Sequence, residues 1–224
     1  NSPSLSWYKL ETLYKLLGEL KGESALVFCN QRESVERVSN YLTEMGVDNE
    51  YFHGGMEQPE RERALSLFRN GSASVFISTD LASRGLDIPE VKNVIHYHLP
   101  INEEAFIHRN GRTARMNAEG NAFMILNEIE TVPEYITREP DEFFLPEKAK
   151  KPLRSEWVTL IINRGKRDKL SKKDVVGFLF QKGGLDKDDL GVVEIKESCA
   201  YAAVKRDKKE GLLARIRDEK IKNM

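Results

Sequence analysis

The segment HRNGRTAR, from His108 to Arg115, sets three guanidinium groups three residues apart, at Arg109, Arg112 and Arg115. No carboxylate lies within the octet, so its charge asks for an anion from elsewhere. A guanidinium stays protonated at any working pH, and each planar fork can bond two oxygens at once, which suits a phosphate chain. Three of them on a rigid support could meet negative charge as it develops on a transferring phosphoryl group. Pairing with surface carboxylates is the plain alternative, and spacing alone does not separate the two. A second cluster, TDLASRGLDIP (79–89), offers a hydroxyl, two carboxylates, an arginine and a glycine.

Both clusters follow short apolar runs. ALVFC (25–29), EYFHG (50–54), SVFIS (74–78), VKNVIHYHL (91–99) and NAFMIL (121–126) read as strands. Between them, QRESVERVSNYLTEMG carries Val35, Val38, Tyr41, Leu42 and Met45 at helical spacing with Gly46 as a stop, and Glu57 to Arg69 aligns Ala64, Leu65 and Phe68 on one side. A helix, NEEAFIHR, is expected after Leu99 and breaks at Gly111. Strands alternating with helices predict an α/β fold with a parallel sheet and helices on both faces. Ligands of such sheets bind beyond the carboxyl ends of the strands, in the loops after Cys29, His53, Ser78 and Leu99.

Four of the eight prolines (Pro133, Pro140, Pro146 and Pro152) fall within 131–154, which reads as a linker with a short helix ahead of it. It separates a domain at 1–130 from one at 155–224. The second shows β-α-β-β-α order: WVTLII, KKDVVGFLFQKGG with Val175, Val176, Leu179 and Phe180 inward, GVVEIKE, CAYAAVK and KKEGLLARIRD. That order predicts an α+β, RRM-like (ferredoxin-like) domain. KIKNM ends the sequence where a last strand is expected, so that strand is taken as lacking.

The formal net charge of −1 hides a split, with 15 Lys and Arg against 24 Asp and Glu over 1–149, and 20 against 12 over 150–224. A basic end on an acidic body suggests a polyanion partner for the basic part. No apolar run of membrane-spanning length and no secretory leader pattern are present, so no membrane partner is expected. Cys29 and Cys199 sit in apolar runs and read as buried free thiols of a cytoplasmic protein.

In order and spacing, ALVFCNQ, FHGGMEQPERERAL, STDLASRGLDIP and HRNGRTAR resemble the motifs of the second RecA-like domain of DEAD-box RNA helicases, over Ser24 to Leu126. The resemblance implies an ATP-dependent RNA helicase, an RNA-stimulated ATPase. It makes Arg112 and Arg115 the arginine fingers on the ATP γ-phosphate and Asp87 the ribose contact. Arg84 and Gly85 would lie in the ATP cleft, and His108 and Arg109 would tie the motif to it. Thr79, Gln58 and Arg61 of the QxxR segment, and the His53–Gly54 turn would hold the RNA backbone. Asn110, Asn117, His96 and His98 depart from the family pattern. His96 and His98 alternate on a strand, yet no third ligand is in view, so no metal is assigned to them. The sequence has no GxxxxGK[ST] loop and no DEAD box. ATP and Mg²⁺ are therefore expected to be bound mainly by a first RecA-like domain of the same protein.

Residues 156–221 resemble the RNA-binding domain appended to the DbpA group of these helicases, carried by WVTLII, NRGKRDKLSKKD, DVVGFL and GLDKDDLG. The resemblance implies structured ribosomal RNA as partner and a role in large-subunit assembly. An RRM stacks bases on strand aromatics. Here only Tyr201 of ESCAYAAV remains as a candidate, and binding is expected to shift to Arg164, Lys166, Arg167, Lys169, Lys172 and Lys173, with an affinity that falls steeply with salt. A monomer is expected. The alternative reading is a stand-alone RNA-binding or chaperone protein without ATPase activity, and a DNA-directed motor fits the motifs less well. The isolated chain should hydrolyse no ATP; RNA-stimulated turnover by this polypeptide in a steady-state assay would contradict that.

Overall fold

A computed structural model of the chain describes residues 3–113 and 119–222. It divides into two compact units, Asn1–Leu65 with Ser74–Arg154, and Ser66–Ala73 with Ser155–Met224. In the first, the elements run α1 (Pro3–Glu19), β1 (Ala25–Cys29), α2 (Arg32–Glu44), β2 (Asn49–Phe52), α3 (Gln58–Arg69), β3 (Val75–Thr79), α4 (Asp80–Ser83), β4 (Asn93–His96), α5 (Glu103–Asn110) and β5 (Asn121–Met124). All strand pairs are parallel, in the order β2-β3-β1-β4-β5. This is a RecA-like sheet.

The central strands are buried along their whole length, as strands covered on both faces must be. Ala25, Val27, Cys29, Val75, Ile77 and Ile95 point one way and pack with Leu13, Leu17, Val35, Val38 and Leu42 of α1 and α2. The alternate residues point the other way. There Arg109 of α5 lies over the Phe28 ring and Phe106 of α5 stacks on His96. Burial pushes the Cys29 thiol up to about 12, which keeps it protonated and inert.

Helix α1 was not among the sequence expectations, although Leu10, Leu13, Tyr14, Leu17 and Leu20 recur at helical spacing and are all buried. The strand expected over 91–99 is shorter, since β4 stops at His96. No helix or strand lies between β5 and residue 154, so the short helix expected ahead of the linker is not formed. The stretch groups with the first unit and is fastened along it. Phe143 meets Phe123 edge to face, Lys150 pairs with Glu19 at 2.9 Å, and Arg154 with Asp48 at 2.7 Å.

The second unit has β6 (Trp157–Ile162), α6 (Lys172–Gln181), β7 (Leu190–Ile195), β8 (Ala200–Lys205) and α7 (Lys209–Ile216). Its antiparallel sheet has the order β6-β8-β7, the core of an RRM-like domain, and no fourth strand occurs among the described residues. Val175 and Leu179 of α6 and Leu212 of α7 close over Val193, Ala200, Ala202 and Val204. Ser171 caps α6 through a reciprocal pair with Asp174. Cys199 is half-buried rather than buried, because it sits in the β7–β8 turn.

Gly165 touches that turn. A Cβ there would lie 2.5 Å from the Glu197 carbonyl oxygen and 2.7 Å from the Cys199 nitrogen. Gly165→Ala should therefore lower the urea stability of the second unit by about 1–3 kcal/mol, read from its unfolding midpoint; an unchanged midpoint would show that the turn can yield.

Candidate functional site

The sequence suggested one external anion for three arginines. The fold separates them. Arg109 is 1% exposed, and its partner is internal. Nε and Nη2 donate to the two Asp80 carboxylate oxygens, each at 2.6 Å. Nη2 also donates to Asn30 Oδ1 at 2.8 Å, while Nη1 donates to the His98 carbonyl at 2.7 Å and faces His96 Nδ1 at 3.4 Å. A guanidinium has five N–H donors, and these contacts occupy them. Arg109, expected to tie its motif to the ATP cleft, thus spends its donors inside the protein, and a fully engaged, buried guanidinium has none left for a nucleotide.

The two histidines that resemble a metal pair serve this centre. His96 Nδ1 accepts from Arg109, so Nε2 carries the hydrogen and donates to Asn110 Oδ1 at 2.9 Å. His98 Nδ1 accepts from the Asn30 backbone N–H at 3.1 Å. Burial, reinforced by nearby cations, pushes both imidazoles down to about 4 and keeps them neutral.

Around this support a groove of 340 Å³ opens at the carboxyl ends of β1, β2 and β3, lined by Arg32, Phe52, Gly54, Arg61, Thr79, Arg84, Gly85 and their neighbours. It gathers Gly54, Arg61, Thr79, Arg84 and Gly85, residues that the sequence brings to it from two separate motifs. Arg61 is held by donating to the Gly54 and Met56 carbonyls at 3.0 and 2.8 Å, with its guanidinium over the Phe52 ring. Thr79 caps α4 by accepting from the Ala82 N–H at 3.3 Å. Gly85 follows α4 at φ +80°, a backbone state that L side chains rarely adopt. Arg32, the first residue of α2, was missed, although it follows directly on the ALVFCNQ loop that the carboxyl-end rule singled out.

Two of the expected RNA contacts are not among the residues that line the groove. The His53 imidazole is buried, accepting from the Gly55 N–H at 3.1 Å and meeting Glu36 at 2.8 Å, so its turn offers Gly54 rather than the ring. Gln58 is exposed but does not line the groove, because its amide runs along α3 to Glu62 at 3.3 Å.

Arg112 lies against the groove's far wall, donating to the Ser83 carbonyl at 2.9 Å and the Leu86 carbonyl at 3.4 Å. Asp87 is exposed just past that wall. His108 is exposed on α5 and pairs with Glu104 at 3.6 Å, and Glu104 also meets Arg84 at 3.8 Å. Arg115 and Asn117 lie outside the described residues.

In the second unit, Arg164, Lys166, Arg167, Lys169, Lys172 and Lys173 are all exposed on one turn and the start of α6. The turn is rigid, because Lys166 and Arg167 donate their backbone N–H groups to the Lys196 and Glu197 carbonyls at 2.9 and 3.1 Å. Tyr201 is corrected. At 5% exposure it is a packed strand residue with no face on which a base could stack.

Comparison with known proteins agrees with this division. The helicase conserved C-terminal domain matches residues 8–117, and the DbpA RNA binding domain matches residues 159–224. The chain belongs to the DEAD-box RNA helicase family, as a C-terminal part of DbpA type. It is 33% identical to the ATP-dependent RNA helicase DbpA of Escherichia coli (strain K12), over 88% of this chain and 45% of that protein. To DbpA of Bacillus subtilis (strain 168) it is 28% identical, over 96% of this chain and 50% of that protein. The chain thus spans about half the length of these curated relatives. A crystal structure of the Escherichia coli DEAD-box protein SrmB bound to regulator of ribonuclease activity A is similar with a TM-score of 0.51 at 35% identity, covering 53% of this chain and 70% of that one.

The neutral histidines make acid stability testable. Unfolded imidazoles take up protons below about 6.5, whereas folded His96 does so only near 4. The unfolded state therefore binds more protons between these values, and stability is full above pH 6.5 and lost as pH falls towards 4. His96 alone should account for about 3 kcal/mol of that loss. Urea unfolding of the first unit from pH 7 to 4.5 should show a slope that His96→Asn reduces; identical slopes would refute the buried neutral state.

Proposed function

We propose that this chain is the C-terminal part of an ATP-dependent RNA helicase that remodels structured RNA, with ribosomal RNA in large-subunit assembly as its target. The observation that carries the reading is the shared groove, with guanidinium, hydroxyl and glycine backbone groups on its walls and Arg112 bonded to the Ser83–Leu86 side. Such groups bind phosphate and sugar without reading bases, so grip there would be independent of sequence. The RNA backbone is assigned to the side of Gly54, Arg61 and Thr79. ATP, held on a preceding RecA-like lobe, is assigned to the side of Arg84, Asp87, Arg112 and Arg115.

Closure of the two lobes by ATP and RNA together would bring Arg112 and Arg115 to the γ-phosphate, where fixed positive charge meets the charge of the transferring group. A strand held in a bent path along the groove would be unpaired locally, and hydrolysis would release it. Among the described residues no cluster of three His, Cys, Asp or Glu side chains could hold a metal ion. Mg²⁺ is assigned with ATP to the preceding lobe, and no step proposed for this chain runs through it.

The basic turn of the second unit would hold a nearby structured RNA and raise the effective concentration of substrate at the motor. With Tyr201 buried, that grip is electrostatic and weakens with salt. The ribosomal target rests on the likeness of residues 159–224 to the DbpA RNA binding domain. Free thiols at Cys29 and Cys199 fit a cytoplasmic protein, and we take it to act as a monomer.

The test separates the two sides of the groove. In the full-length protein, Arg115→Ala should lower RNA-stimulated ATP turnover on the order of a thousand-fold with RNA affinity kept, whereas Arg61→Ala should weaken RNA binding. Normal turnover in Arg115→Ala would sink the finger assignment.

A further inference from the structure

Helix α5 carries Arg109 near its end and runs straight into Arg112, so whatever fixes its placement also fixes where Arg112 reaches. One contact on it comes from the stretch that leads on to the second unit. A turn closed by the Ile136 N–H on the Pro133 carbonyl, at 3.0 Å, presents Tyr135. The Tyr135 hydroxyl donates to the Pro100 carbonyl at 2.5 Å, just ahead of α5. Its ring stands 6.2 Å from that of Phe106, and Phe106 stacks on His96 at 5.5 Å with a 27° interplanar angle. His96 then meets Arg109 through Nδ1 and Asn110 through Nε2. A continuous column thus joins Tyr135 to the buried guanidinium and to the last residue of α5.

We propose that Tyr135 is a positioning residue that sets the rate of ATP turnover, acting through Phe106 and His96 on the placement of α5 and hence of Arg112. The inference rests on the helicase reading above and adds a control point to it. Tyr135 is only half-buried and sits in a segment with no helix or strand. Its hold on α5 is thus one ring contact and one hydrogen bond, and no other part of the 131–154 stretch has a ring against α5 among the described ring contacts. A change in how the turn from Pro133 to Ile136 lies would therefore be felt at α5.

The experiment measures RNA-stimulated ATP turnover of the full-length protein, with kcat and the KM for RNA taken separately. Tyr135→Ala should lower kcat about tenfold, within the range of couplings exerted by residues that touch neither ligand, and leave the KM for RNA within about twofold. Tyr135→Phe keeps the ring and should retain at least about half of the wild-type kcat. Phe106→Leu breaks the column from the other side of the same contact and should reproduce the split seen with Tyr135→Ala. Wild-type kcat in both Tyr135→Ala and Phe106→Leu would overturn the inference, as would a loss that Tyr135→Phe fails to recover or an equal rise in KM, the signature of general loosening. If the wild-type protein itself shows no RNA-stimulated turnover, the helicase reading falls and this inference with it.

Discussion

Arg109 and Asp80 form the contact on which the rest of the first unit depends. A guanidinium taken out of water is tolerated only when its donors are met, and removing the carboxylate that answers it is costly. Here the fork is answered on both prongs by Asp80, and the remaining donors reach Asn30, the His98 carbonyl and His96. Those partners come from the ends of β1, β3 and β4. One buried charge therefore fastens three loops of the sheet's carboxyl edge to helix α5. Loss of Asp80 would leave the Arg109 charge buried without its carboxylate, at a cost of about 3–5 kcal/mol.

The groove follows from that fastening. Asp80 opens α4, Thr79 caps it, and Gly85 ends it with a backbone turn, so holding Asp80 also holds the hydroxyl and the glycine that face the open space. On the opposite wall Arg61 is steadied by the carbonyls of the Gly54 turn and by Phe52, while His53 braces that turn from inside. Each arginine of the HRNGRTAR segment in the described residues thus has a distinct task. Arg109 supports, and Arg112 lies at the wall nearest the assigned nucleotide. The second unit solves its own problem differently, through a stapled turn and helix start that display six cations to solvent and a sheet in which Tyr201 is packed away.

Much of this was legible before any coordinates. Alternation of apolar runs with helical spacing announced the parallel sheet, because strand and helix periods are local properties of the chain. Thr79, Arg84 and Gly85 were legible as chemistry because they follow a strand's carboxyl end, and Gly54 and Arg61 through the resemblance to the DEAD-box motifs. Helix α1 was overlooked although its leucines carry the same period, and Arg32 was overlooked although it follows the first strand.

Residue types, their spacing and the two-part charge balance belong to the sequence, and they determined the fold class, the polar and cationic groups that the loops offer and the basic tail. The sequence could not say which arginine is already neutralised. Asp80 and Arg109 are 29 residues apart, and nothing in a one-dimensional spacing distinguishes a guanidinium that will be buried from one that will face a ligand. Nor could it say that Tyr201 and His53 turn inward, or that Tyr135 reaches back to Phe106. Burial and long-range partners are decided when the sheet closes and its helices pack, since only then does each polar group meet either water or a partner.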